Sequence, residues 1–139
     1  AGTSQQVDSL MQHPVILDAT REALRDQNPK IASEAMWVFA NISCHKNPSN
    51  IKFLVERGIL NDCIPILESA EPKIILVALE FIENILSTNP EAYSDIICSG
   101  PLLVKLEALQ EHHNEEVYRK ALKIIENHMQ TAEDGFEFQ

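Results

Sequence analysis

The stretch Ile31-Ala-Ser-Glu-Ala-Met-Trp-Val-Phe-Ala-Asn41 returns, much altered, as Ile74-Ile-Leu-Val-Ala-Leu-Glu-Phe-Ile-Glu-Asn84 and again as Val117-Tyr-Arg-Lys-Ala-Leu-Lys-Ile-Ile-Glu-Asn127. Asn41, Asn84 and Asn127 are each 43 residues apart, and Ala35, Ala78 and Ala121 keep the same interval. So do Ile31, Ile74 and Val117, and so do Met36, Leu79 and Leu122. A small side chain at one place in every period lets neighbouring helices approach closely there.

A period of about 40–47 residues in an apolar, helix-favouring chain marks armadillo or HEAT repeats. Such repeats contact only their neighbours, and their curvature makes an extended binding surface. The fold expected is all-α, a right-handed superhelical solenoid of about three armadillo repeats. Their expected spans are 1–45, 46–88 and 89–130, followed by an acidic, disordered tail over 131–139.

Local signals place the helices. Ser4 to Gln12 reads as a short helix, Val15 to Arg25 as a second, and Lys30 to Ser43 as a third. On that third helix Ile31, Ala35, Val38 and Ile42 have the spacing of one buried face. Pro29, Pro48, Pro72 and Pro90 each suit a first helical turn, where a missing N–H costs nothing. The second repeat reads as Pro48 to Glu56, then Leu60 to Glu68 with Pro65 signalling an early kink or a late start, then Pro72 to Leu86. There Ile74, Ala78, Phe81, Ile82 and Ile85 face inward. Gly58 suits the left-handed end of a helix. The third repeat reads as Pro90 to Cys98, Leu102 to Gln110 and Glu115 to Met129.

Composition narrows the function. Hydrophobic residues make up 45% of the 139, enough for a core. The net charge of −10 argues against nucleic acid and anionic membrane as partners and favours basic ones. Cys44, Cys63 and Cys98 have no metal-binding spacing; Cys63 and Cys98 read as core residues, and the reducing compartments of the cell suit all three. Adjacent Cys44 and His45 are poorly placed as a nucleophile and its base, and His112-His113 lack the i, i+4 spacing of helical metal ligands. His45, His112, His113 and His128 read as loop or surface residues. Neither catalytic residues nor a cofactor or metal is expected, and the chain reads as a binding protein rather than an enzyme.

One constellation suits a ligand. Glu34, Trp37 and Asn41 share a helix face offset from Ala35 and Val38, which turns them toward the concave groove. A carboxamide offers a donor and an acceptor to an extended peptide backbone. An indole attracts a cation by about 0.5–2 kcal/mol and covers its methylene stem. A carboxylate pairs with the charged head. The bland alternative makes Trp37 a core residue and Asn41 a helix cap; recurrence at Asn84 and Asn127 weighs against it and adds Asn84 to the site. Glu80 and Lys123 stand at the positions of Trp37, so only the first repeat has the full set.

Ser33-Glu-Ala-Met-Trp37-Val-Phe-Ala-Asn41-Ile-Ser43, followed by Asn50-Ile-Lys-Phe-Leu-Val-Glu-Arg-Gly58, resembles an armadillo repeat of the importin-α family. Pro72 to Glu80 with Glu83-Asn-Ile-Leu86 resembles the next repeat, and Leu103 to Leu109 with Gln110 to Tyr118 resembles the last. The resemblance runs in order over roughly residues 3–129 and implies the family's eighth, ninth and tenth repeats. It implies an adaptor carrying nuclear localisation signals or folded cargo between cytoplasm and nucleus, with Glu34, Trp37 and Asn41 at one end of the minor signal groove. The family's last repeats also meet an export receptor with Ran-GTP; Glu115, Glu116, Tyr118 and Phe136 are the candidates here. Importin-β is engaged by a basic N-terminal segment that the sequence does not contain, and isolated signal peptides are expected to bind weakly. One departure is local: where the family has a glycine-bearing turn, this chain has Ser43-Cys-His-Lys-Asn-Pro48. The alternative reading is a generic armadillo scaffold binding through its outer surface.

Overall fold

The computed structural model describes residues 12–98 and 100–129, and no strand occurs among them. The helices are α1 (Pro14–Ala23), α2 (Pro29–Cys44), α3 (Pro48–Glu56), α4 (Ile59–Asp62), α5 (Ile64–Leu67), α6 (Pro72–Thr88), α7 (Pro90–Cys98), α8 (Pro101–Leu109) and α9 (Glu115–Ile124). A single π turn, Ile125–Met129, continues α9. The readings of a helix over Ser4 to Gln12, of a tail over 131–139 and of the Cys98 side chain lie outside what is described.

Asparagine followed by proline sets three of the helix starts, at Pro29, Pro48 and Pro90. Asn28 and Asn47 cap α2 and α3, their side-chain oxygens accepting from Lys30 N at 3.0 Å and from Ser49 N at 3.0 Å. Asn89 Oδ1 accepts from Ala92 N at 3.3 Å and Asn114 Oδ1 from Val117 N at 3.1 Å. Each cap satisfies an amide that has no carbonyl partner in the first turn, and the proline that follows Asn28, Asn47 and Asn89 has no amide to satisfy. Where the sequence suggests a helix from Leu60 to Glu68 with an early kink or a late start at Pro65, the chain breaks at Cys63 into α4 and α5, and α5 starts one residue before the proline. Pro65 follows within α5, where its ring would clash with the carbonyl of a continuous preceding turn.

Gly58 (φ 82°) links α3 to α4 in the left-handed region. Lys46 (φ 53°) does the same after α2, in the turn where the importin-α pattern leads one to expect glycine.

The long helices stack in chain order, α2 against α6 and α6 against α9. Phe39 and Phe81 meet between the first two with ring centroids 6.4 Å apart, both fully buried. Ile74, Ala78, Phe81, Ile82 and Ile85 all face the core, as does Cys63. Ala35 and Ile42 are buried, but Ile31 is 42% exposed and Val38 only partly covered. Their counterparts Ile74, Val117, Phe81 and Ile124 are buried. The difference follows from stacking: α6 and α9 each lie against a preceding long helix, and none precedes α2 among the described residues.

One buried charge ties the first two repeats. Asp62, 2% exposed, takes hydrogen bonds from Arg21 of α1 and from Arg25 just beyond its end. The proximity of Asp62 raises the Arg25 guanidinium further above its already high pKa.

Candidate peptide groove

Trp37 is 53% exposed and lines a cleft of about 520 Å³ between α2 and α6. Ser33, one helical turn before it, lies on the same wall; Lys73, Leu76 and Glu80 stand opposite on α6, and Glu71 precedes that helix. An indole left this exposed forgoes burial of a large apolar surface, which a core tryptophan would not. Glu34 is exposed on α2 and is not among the residues lining the cleft. Asn41 is half-buried and lies inside α2, which continues to Cys44, so it is not the helix cap.

The recurring asparagines differ in their surroundings. Asn84 is half-buried, and its Nδ2 donates to Ser43 Oγ at 3.1 Å. Ser43 is fully buried, and its hydroxyl donates in turn to Ala40 O at 2.8 Å. Asn127 is exposed in the π turn. Part of the Asn84 carboxamide is therefore occupied in joining α2 to α6, while its oxygen accepts no hydrogen bond among the described residues.

A second cleft, about 430 Å³, lies between α6 and α9 and is lined by Leu76, Glu80, Glu116, Arg119, Lys120 and Lys123. Lys120 Nζ is 3.0 Å from Glu83 Oε1, and Arg119 pairs with Glu115 at 2.5 Å. Glu116 thus faces this cleft, Glu115 is exposed beside it, and Tyr118 is 36% exposed. Phe136 lies outside the described residues. Of this cleft the sequence reading noted Glu80, Glu116 and Lys123 but missed Leu76, Arg119 and Lys120, and in the first cleft it missed Ser33. The same 43-residue period contains the signal, since Ser33, Leu76 and Arg119 occupy equivalent positions one turn before Trp37, Glu80 and Lys123.

No group of His, Cys, Asp and Glu among the described residues could hold a metal ion, and none of the described helices is long and apolar enough to cross a membrane. His112 Nδ1 accepts from Asn114 N at 3.0 Å and so braces the turn before α9.

Comparison with known proteins agrees with this architecture. The profile of the atypical Arm repeat family, Arm_3, matches residues 91–138, which runs past the repeat boundary read from the sequence. Importin subunit alpha-5 of Arabidopsis thaliana is 36% identical over 113 residues, covering 76% of this chain and 22% of that protein. Importin subunit alpha of Saccharomyces cerevisiae is 30% identical over 102 residues, covering 66% of this chain and 19% of its own. The chain therefore spans about a fifth of the length of these relatives. A designed armadillo repeat protein solved in complex with peptide (KR)4 superposes with a TM-score of 0.78 and 32% identity, over 90% of this chain and 51% of that one. A computationally designed armadillo protein for modular peptide recognition gives 0.79 and 30%, over 90% of this chain and 51% of its own. With the period, the stacked long helices and these relatives in agreement, the chain belongs to the importin-α family of armadillo-repeat proteins.

Proposed function

We propose that this chain is a cargo-binding part of a nuclear import adaptor that shuttles between cytoplasm and nucleus, holding a basic, extended localisation peptide across α2 and α6. The observation that carries this reading is the half-exposed Trp37 facing Glu80 and Glu71 across one cleft. A lysine or arginine stem lies flat on the indole, its charged end reaches a carboxylate, and the amides of Asn41 and Asn84 meet the peptide backbone. The (KR)4 ligand of the designed armadillo relative supports a basic peptide as the class of occupant. The chain's net charge of −10 adds long-range attraction.

Titration of a labelled bipartite localisation peptide, followed by anisotropy, tests this with the intact chain and a Trp37→Ala/Asn41→Ala variant. Binding that weakens with salt and is lost in the folded variant is the expected result. Binding indifferent to both substitutions would overturn it and favour the outer surface. On that second reading, folded cargo or the export receptor with Ran-GTP contacts the third repeat around Glu115, Glu116 and Tyr118; all three are exposed, and Glu115 and Tyr118 stand outside the groove lining.

A further inference from the structure

Leu76 and Glu80 line both clefts, so one groove continues from α2 across α6 to α9. Its charge changes along the way. Around Trp37 the ionised lining groups are Glu71, Glu80 and Lys73; beyond Leu76 they are Arg119, Lys120 and Lys123 with Glu80 and Glu116. Lys120 and Arg119 are paired with Glu83 and Glu115, whereas Lys123 is exposed and has no ion-pair partner among the described residues. It stands at the repeat position that Trp37 and Glu80 hold in the other two repeats. A purely cationic peptide laid along this groove would meet carboxylates beside Trp37 and the unpaired Lys123 at the other end.

Resting on the peptide-groove reading above, we infer that the preferred ligand is a mixed-charge peptide, with a cationic side chain at Trp37 and Glu80 and a carboxylate side chain at Lys123. Packed helices lie roughly 8–10 Å apart and an extended chain advances about 3.3 Å per residue, so the two clefts are about three residues apart along the ligand. The acidic partner group is selected locally, because the chain's overall charge of −10 opposes it at long range.

Four labelled peptides of equal length and a shared Lys-Arg core test this. One has Glu-Glu three residues after the core, one has it three residues before, and the others have Gln-Gln or Lys-Lys at both places. The expected result is that one Glu peptide binds about three- to five-fold tighter than the Gln peptide, the size of an exposed ion pair, with the Lys peptide weakest. Lys123→Glu should reverse that order, with the Lys peptide becoming the tightest and the Glu peptides losing their gain over the Gln peptide. If the Gln peptide binds in a Trp37-dependent way but neither Glu peptide gains, the mixed-charge inference fails and the basic-peptide reading stands. If no peptide binds in a Trp37-dependent way, both fail.

Discussion

Asn84 of α6 donates through Nδ2 to Ser43 Oγ of α2 at 3.1 Å, joining two long helices across 41 residues of chain. The acceptor is fully buried and the donor half-buried, so the bond sets the register of the two helices at the end of the groove. Replacing either residue by alanine should cost about 1 kcal/mol, with a double-mutant coupling of about 0.5–1.5 kcal/mol in urea denaturation. Additive losses would mean that the bond contributes nothing in solution. Trp37→Ala, by contrast, should weaken peptide binding with little change in the urea midpoint.

Lys46 adopts φ 53° without glycine's freedom from Cβ crowding. The left-handed region costs a non-glycine residue roughly 1–2 kcal/mol. Lys46→Gly should therefore stabilise the protein by about 0.5–1 kcal/mol once the greater freedom of an unfolded glycine is subtracted. A lower melting temperature in the variant would show that the lysine side chain offsets its backbone strain.

Asp62 offers a test of buried charge. Removing both Arg21 and Arg25 leaves a carboxylate 2% exposed and unpaired, whereas Asp62→Asn leaves a neutral group. The Arg21→Ala/Arg25→Ala variant should therefore melt at a lower temperature than Asp62→Asn. Adding Asp62→Asn to the double variant should restore part of the loss. No restoration would mean that packing of the arginine stems, not charge, matters at this junction.

The thiols should separate by reactivity. Cys44 is exposed; Cys63 is fully buried, and burial, helped by the charge of Asp62, pushes its pKa well above the ordinary thiol value. Iodoacetamide at pH 8, read by peptide mapping, should modify Cys44 in the native protein and Cys63 only after unfolding. The sign for stability follows: the folded state keeps the Cys63 proton that the unfolded state releases above pH 9.0, so its contribution is full below that value and falls as pH rises. Cys63→Ala should flatten that part of the melting temperature profile, and an unchanged slope would count against it.

Much of the helical layout is legible in the residues themselves, because its determinants are local. Asn-Pro pairs and Gly58 act within one turn, so the ends of α3 and α7 agree with the sequence reading to the residue. The break at Cys63 was less legible, since proline signals a disruption without specifying which preceding residue yields.

The sequence by itself determined a repeating all-α chain with its period, its inward residues on α6 and an exceptional tryptophan in the first repeat. Tertiary structure alone decided which residues share a cleft. Stacking buries Ile74 and Val117 but leaves Ile31 exposed, although all three hold one repeat position. It also brings Arg119, Lys120 and Lys123 to the far wall of Glu80 and occupies part of Asn84 with Ser43. The physical reason is that periodicity assigns a residue to a face of its own helix, while solvent exposure and charge partners depend on the neighbouring helix that packs against that face.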